Sequence, residues 1–229
     1  MKRIITLMLT VAMCISLCSC GSMSKEKMLE NAQEITTKQL LSDFRDNEAK
    51  ANQTYVGNTY ILSGYVTEIT DEYCAFGDSI KVYLPHDELV SLEKDKKIRV
   101  VGEIDKLYVT ETTMSMGSYS DYNVDVRNAY YVDDVFEITG EVEIMSNKKI
   151  FSDGFSYKTT SSNKTHFYIK DSEEVYYAID EKFIDDINAI SASILGEDLM
   201  LGDSVTISGT VMKSDIYPAE ITPTSIQKN

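Results

Sequence analysis

The side chains best suited to catalysis are few in this 229-residue chain, and their spacing matches no catalytic group. His86 and His166 lie in different parts of the predicted fold, and each suits a polar position at the start of an element. Cys74 has no histidine near it in sequence, and its aromatic and small neighbours are typical of a strand with a buried thiol. The sequence contains no P-loop, dinucleotide-binding, zinc-protease or serine-hydrolase motif. We therefore predict that the protein is not an enzyme and has no cofactor.

Pairs of adjacent acidic residues recur along the chain, but their spacing does not predict a metal site. None has the alternating acids and glycine of a calcium loop. A solvated acidic surface explains them, and a weak divalent-ion site is the alternative. The pairs are Asp133-Asp134, Glu173-Glu174, Asp180-Glu181, Asp185-Asp186 and Glu197-Asp198.

Two long connections between predicted strands are rich in aromatic residues, and the second also carries four lysines; such side chains could stack bases or sugars. One covers residues 106–123 and the other residues 145–164. The alternative is that both are β-hairpin extensions whose aromatic rings pack against the fold. The candidate binding residues in these loops are Tyr119, Tyr122, Lys148, Lys149, Phe151, Phe155 and Tyr157.

The N-terminus has the pattern of a bacterial lipoprotein signal. Lys2 and Arg3 precede a run of 14 mostly apolar residues, Ile4–Leu17, which is too short to span a membrane comfortably. The run ends in Leu17-Cys18-Ser19-Cys20-Gly21, so Cys20 follows an aliphatic residue and two small ones. We predict that Cys20 is lipidated after cleavage of residues 1–19. An ordinary secretory signal with coincidental cysteines is the alternative.

Cleavage before Cys20 changes the charge and the cysteine content of the mature chain. It removes Lys2 and Arg3 but no acid, so the formal net charge goes from −15 to −17. Cys74 is then the one cysteine that carries a free thiol, which excludes an intramolecular disulfide. Acyl chains such as palmitate would anchor the protein to the membrane. The predicted location is extracytoplasmic, on the cell membrane, or on the outer membrane if the envelope has one.

The elements that would position these residues are mostly strands, and their pattern occurs twice. Residues 60–66 match residues 136–142, with Gly64 and Gly140 aligned. Residues 98–104 match residues 205–211, with Gly102 and Gly209 aligned. A glycine inside a strand marks a bend or bulge, and bent strands are what a small closed barrel requires.

Each repeat is read as three strands, a helix and two strands, which is the plan of an OB-fold. The helix of the first repeat begins at Pro85, and that of the second covers Asp180–Leu195 and ends at Gly196. The predicted fold class is therefore mainly β. It consists of tandem five-stranded OB-type barrels, each with a short helix between strands 3 and 4, preceded by one N-terminal helix. We assign residues 1–19 to the signal peptide, 20–35 to a tether, 36–132 to the first domain and 133–229 to the second.

Residues 35–132 resemble the tRNA_anti-like family of bacterial OB-fold lipoproteins. The matching features are a helix led by Ile35-Thr36, the stretch 47–52, the turn 55–58, the glycine-bearing strand 63–66 and the strand 97–102. The second repeat keeps the strand pattern only. The resemblance implies the fold and the location, and the family name implies nucleic-acid binding without specifying an activity.

Charge separates the remaining function classes. The formal charge is −5 over residues 35–112 and −11 over residues 113–229, and phosphate binding draws its affinity from basic side chains. Nucleic acid is thus a disfavoured partner. We predict a binding or interaction module that meets an envelope protein or small ligand through its long loops. Nucleic-acid or oligosaccharide binding on the OB face is the first alternative, and an extracytoplasmic enzyme is the second.

Overall fold

A computed structural model of the protein describes residues 23–114, 117–145, 150–152, 157–159, 166–187, 190–213 and 219–229. The chain is mostly β and forms two closed five-stranded barrels, as predicted. Among the described residues, no helix combines the length and apolar content needed to cross a membrane.

From Met23 onward, where the structure describes the chain, three helices precede the first barrel instead of the one that we expected. Helix α1 (Lys25–Asn31) buries Met28, and strand β1 (Gln33–Thr36) follows it. Helix α2 (Thr37–Asp46) is capped by Thr36, whose Oγ1 accepts a hydrogen bond from the Gln39 amide at 3.1 Å. Asn47 ends this helix and caps the next one, α3 (Glu48–Tyr55), which divides the expected single helix in two.

The expected tether therefore contains folded structure from Lys25 onward. Strand β1 runs parallel to the first barrel strand, with Ile35 paired to Leu62. Ile35 packs against the first hydrophobic core, which explains why this polar stretch becomes ordered as a strand.

The first barrel has the strand order β2-β3-β4-β6-β5 and closes through pairing of β2 with β5. Its core includes the fully buried Leu62, Val66, Val100 and Val126. The predicted short helix α4 (His86–Ser91) follows Pro85 and buries Leu89. The strands are β2 (Thr59–Ile69), β3 (Cys74–Phe76), β4 (Ile80–Val82), β5 (Lys97–Met114) and β6 (Gly117–Asp133).

The second barrel has the order β10-β11-β16-β15-β7. A two-stranded hairpin, β8 and β9, lies in sequence between its first two strands. Phe167, Ile169 and Val205 are fully buried in its core. The elements are β7 (Val135–Met145), β8 (Ile150–Ser152), β9 (Tyr157–Thr159), β10 (His166–Asp171), β11 (Tyr176–Ile179), β15 (Ser204–Met212) and β16 (Ala219–Lys228).

Strand register confirms the repeat position by position. In the first barrel Gly64 pairs with Ile98 and Gly102 with Tyr60. In the second barrel the aligned residues make the same pairs, Gly140 with Val205 and Gly209 with Phe136. The pairing of β2 with β5 is thus equivalent, residue by residue, to the pairing of β7 with β15.

The predicted helix Asp180–Leu195 is wrong. A 3-10 turn (Glu181–Phe183) leads into a small sheet of β12 (Ile184–Ile187), β13 (Ser191–Ile194) and β14 (Glu197–Met200). Leu195 and Gly196 have φ values of 52° and 81°, which form a two-residue hairpin turn where we expected a helix cap. The isoleucines fit both periods, but β-branched side chains favour the strand, and Ile190 is 61% exposed.

The two barrels meet closely where β6 passes into β7. Arg99 Nε donates to Asp133 Oδ1 at 2.9 Å, and its guanidinium also donates to the Val135 carbonyl at 2.7 Å. The Lys213 amide donates to the Asp95 carbonyl at 2.7 Å. Tyr65, from β2, packs against the core of the second barrel.

Candidate ligand-binding face

The outer surface of the first barrel carries a cluster of tyrosines and cations across four adjacent strands. The strands lie in the order β3, β4, β6, β5, and at about 4.8 Å between neighbours they span about 14 Å. We call this cluster the tyrosine face. Its members are Tyr73, Lys81, Tyr83, Lys106, Tyr108 and Arg127.

Alternation along the short strands turns these side chains outward. In β4, Ile80 and Val82 are buried in the core, so Lys81 between them points to the outside. Lys81 pairs across the sheet with Asp125 of β6, which also points outward. The barrel core and the tyrosine face are therefore opposite sides of the same strands.

Each tyrosine ring of the face has a cation above it. Lys81 Nζ lies 5.0 Å from the centroid of the Tyr73 ring, and Lys106 Nζ lies 4.7 Å from that of Tyr108. The Arg127 guanidinium lies 4.4 Å from the centroid of Tyr83. The Tyr73 and Tyr83 rings are neighbours, with centroids 5.8 Å apart. Rings held in this way offer stacking surface at little entropic cost.

Asp125 organises one side of this face. Its side chain is 3% exposed, and Lys106 Nζ lies 3.2 Å from Oδ2. The Tyr108 hydroxyl donates to Oδ1 at 3.4 Å. The hydrogen bond to Asp125 raises the pKa of Lys106, while burial and then the Asp125 charge raise the pKa of Tyr108. Lys106 therefore stays charged and Tyr108 neutral at physiological pH.

The other two cations of the face differ in their partners. Arg127 Nε donates to Asp105 Oδ2 at 3.0 Å. Lys81 has no ion pair within the part of the chain that the structure describes. Two of the three positive charges are thus already compensated by carboxylates.

The second barrel provides an internal comparison, because the register identifies equivalent positions. The positions of Lys81 and Arg127 are taken by Ala178 and Thr222. Met212 pairs with Glu220 where Lys106 pairs with Asp125. The cations are therefore a property of the first barrel and are not required by the barrel fold.

The predicted loop residues of the first barrel lie on a hairpin. The connection 106–123 largely continues β5 and β6, with Thr112 paired to Tyr119. Tyr122 packs against the first core, with its ring 5.2 Å from that of Phe44 and the Arg45 guanidinium above it. Tyr119 is 46% exposed. Of these two tyrosines, Tyr119 is the one that offers free surface.

The predicted loop residues of the second barrel are described only in part. Phe151 and Tyr157 belong to β8 and β9, where Phe151 pairs with Lys158 and Ser152 with Tyr157. Their side chains lie outside the described residues, as do Phe155, Lys148 and Lys149. Ligand binding by this hairpin stays a prediction, and packing of its aromatic rings against the fold stays the alternative.

The other candidate chemical groups give no catalytic cluster in the described residues. Cys74 is a free, fully buried cysteine, and burial raises the pKa of its thiol to about 12. His86 is exposed at the start of α4. Within the described ranges, no three His, Cys, Asp or Glu side chains come together as a metal site. Cys20 lies outside the described residues.

Sequence reasoning missed most of the tyrosine face. Tyr73, Lys81 and Tyr83 fall on strands of only three residues or beside them, where alternation is too brief to assign a direction. Tyr108 stands out in the sequence only as a loop aromatic, and Arg127 lies far away along the chain. The available signal was their position on OB strands 2, 3 and 5, next to the surface that such folds use for ligands.

Comparison with known proteins gives one family match. The model of the tRNA_anti-like family matches residues 1–83, which confirms the expected resemblance of residues 35–132 over its first part, residues 35–83. No curated protein matches the chain. Among solved structures, a deletion mutant of the single-stranded DNA binding protein from Thermus aquaticus is similar over 75% of this chain and 82% of that chain. The two share 12% sequence identity with a TM-score of 0.24, and this likeness does not bear on the ligand. Residues 1–83 of this chain are thus similar to the tRNA_anti-like family.

Proposed function

We propose that the protein is a lipid-anchored, extracytoplasmic binding module that takes its ligand on the tyrosine face and does not transform it. The observation that carries this proposal is the pair of adjacent rings, Tyr73 and Tyr83, each beside a cation on the outer side of β3, β4 and β6. OB-folds use this region for oligonucleotides and oligosaccharides. An envelope protein held by the long loops is the alternative partner.

An oligosaccharide fits the charges of this face better than a nucleic acid. Asp125 and Asp105 already compensate Lys106 and Arg127, so few cations remain to neutralise phosphates. The formal net charge of −15 would also repel a polyanion. Sugar rings carry no such charge requirement, and their apolar faces can stack on tyrosine rings.

Anchoring through Cys20 would hold the barrels near the membrane. The apolar run Ile4–Leu17 and the Leu17-Cys18-Ser19-Cys20 pattern support this part of the proposal, and the family match includes these residues. Five residues, 20–24, precede helix α1. At about 3.5 Å per residue they reach at most about 18 Å. The ligand would therefore be captured close to the membrane surface.

The binding test compares matched Tyr→Ser variants of residues 21–229, which include every described element. The first variant combines Tyr73→Ser and Tyr83→Ser, and the control is Tyr119→Ser on the exposed hairpin. Each stacked ring contributes about 1–3 kcal/mol. We expect the double variant to lose at least tenfold in affinity for an N-acetylglucosamine oligosaccharide, while the control binds like the wild type.

Calorimetry with this oligosaccharide and with single-stranded oligothymidine decides the ligand class. If the protein binds oligothymidine but not the oligosaccharide, the ligand of the tyrosine face is a nucleic acid and the proposed ligand class is wrong. A loss of affinity in Tyr119→Ser, with none in the double variant, would move the site from the tyrosine face to the hairpin.

The anchor is tested separately in cells. Cys20→Ala should abolish incorporation of labelled palmitate and release or misprocess the protein, because the thioether acceptor is lost. A Cys18→Ala variant is the control and should be acylated normally. If Cys20→Ala still takes up palmitate and fractionates with membranes, Cys20 is not the anchor.

A further inference from the structure

An open cleft of about 510 Å³ lies between the first barrel, helix α2 and the end of β15. This volume is in the range of small-molecule sites. The cleft is separate from the tyrosine face, because its walls come from the start of α2, the middle of β2 and the turn between β3 and β4. Residues of both barrels contribute to it, since Lys213 belongs to the second barrel and Lys97 to the first.

The charge of the cleft is opposite to that of the chain. Three lysines line it from three different elements: Lys38 from α2, Lys97 from β5 and Lys213 from the residue after β15. Asp78 is the one acid among the lining residues. Three lysines and one acid therefore line a cleft in a protein whose formal net charge is −15.

Lys97 is held where water solvates it poorly. Its ammonium lies 4.6 Å from the centroid of the Phe136 ring and 5.9 Å from that of Tyr65. Burial lowers the pKa of Lys97, against the opposing charges of Asp171, Glu173 and Glu34. Within the described residues, no carboxylate lies in ion-pair distance of its Nζ. A partly desolvated cation without an ion pair would be stabilised by an anion in the cleft.

The remaining lining is both polar and apolar. It includes the hydroxyl residues Ser63 and Ser79 and the apolar side chains of Leu41 and Tyr65. Hydroxyl groups can donate hydrogen bonds to an anionic oxygen, and the apolar side chains can cover a hydrocarbon or ring.

We propose that this cleft is a second binding site, for a small amphiphilic anion that carries a carboxylate, sulfonate or phosphate on an apolar body. The anionic group contacts Lys97 and Lys213, and the apolar body lies against Leu41 and Tyr65. The site does not depend on the tyrosine face or on its ligand.

The test uses the fluorescent probe 8-anilinonaphthalene sulfonate with residues 21–229. Lys213→Gln removes one cleft charge from an exposed side chain, and Lys27→Gln removes one charge from α1, away from the cleft. A charged hydrogen bond is strong enough that its loss weakens binding about tenfold. We expect Lys213→Gln and Lys97→Met to weaken probe binding by about that factor, and Lys27→Gln to leave it unchanged.

Two further measurements separate this site from nonspecific apolar binding and from the tyrosine face. The neutral probe N-phenylnaphthylamine should bind more weakly to the wild type and show no dependence on Lys213. The Tyr73→Ser, Tyr83→Ser double variant should bind the sulfonate probe like the wild type. Equal sulfonate binding by wild type and Lys213→Gln would overturn the proposal, even if Lys97→Met fails to fold. Loss of sulfonate binding in the tyrosine variant would overturn it as well.

Discussion

Asp125 is the residue on which the tyrosine face depends. It is the one charged or polar residue that is fully buried in the described part of the chain. Both of its side-chain partners, Lys106 and Tyr108, belong to the face. A buried carboxylate is tolerated only when such groups satisfy it. The face is therefore coupled to the stability of the barrel.

Removing the cation that pairs with Asp125 should destabilise the first barrel. Lys106→Met leaves the carboxylate with the Tyr108 hydroxyl alone, so we expect a clear fall in the urea concentration at the midpoint of unfolding. Lys81→Met is the matched control on the same face and should change stability by less than about 0.5 kcal/mol. Urea unfolding measures both, and equal effects of the two variants would contradict the role assigned to Asp125.

At the level of elements, four glycines allow the strands to curve into barrels. A Cβ at Gly140 would collide with the backbone carbonyl oxygen of Lys170 and lie 2.7 Å from Ile169 Cγ2. At the equivalent Gly64, the nearest atom is 2.5 Å away, but it belongs to the Phe76 side chain. An added Cβ would therefore clash with the backbone in the second barrel and with a side chain in the first.

This difference predicts unequal costs for the same substitution. Gly140→Ala should destabilise the second barrel by about 2–3 kcal/mol, because a backbone carbonyl cannot move away without breaking the sheet. Gly64→Ala should also destabilise the first barrel but cost less, because it displaces the buried Phe76 side chain without pressing on a backbone carbonyl. Ser208→Ala, on a neighbouring strand of the second barrel, is the control and should be nearly neutral. Thermal unfolding compares the stability of the three variants. A larger loss of stability in Gly64→Ala than in Gly140→Ala would contradict the contacts described at these two glycines.

At the scale of the whole molecule, the two barrels share an apolar and a polar junction. One residue, Asp134, separates β6 from β7, and its carboxylate pairs with Lys96 at 2.5 Å. Tyr65 passes from the first barrel to the core of the second. Because these contacts join the two barrels, we expect both barrels to unfold in one cooperative transition.

Buried and partly buried phenols make the folded chain sensitive to alkali. Burial raises the pKa of Tyr55, Tyr65 and Tyr131 to about 12, with Asp43 adding to the effect at Tyr55. Their folded pKa lies above the unfolded value of 10.0, so the stability they contribute is complete below pH 10 and is lost as the pH rises towards 12.

Phenolate absorbance measures this directly. We expect part of the tyrosine signal to appear only near pH 12 in the folded chain, and all of it near pH 10 in urea. A single native transition near pH 10 would contradict the burial of these rings.

The barrels were predictable because the sequence features that specify their strands lie close together in the chain and occur twice. Mid-strand glycines and alternation indicate the strands around Gly64 and Gly140 in the right register. The small sheet after Asp180 was missed because isoleucines at 184, 187 and 190 fit a helix as well as a strand, and pairing across the Leu195-Gly196 turn decides between them. The tyrosine face was missed because it joins Tyr73, Lys106 and Arg127, which only tertiary pairing brings together.

The most direct test of the central claim is amide chemical-shift mapping of residues 21–229 during titration with the N-acetylglucosamine oligosaccharide. The account predicts that the largest shifts fall on β3, β4 and β6, at Lys81, Tyr83 and Arg127. The equivalent positions of the second barrel, Ala178 and Thr222, should stay unchanged. Shifts confined to the hairpin of Phe151 and Tyr157, or no shift on β4, would contradict it.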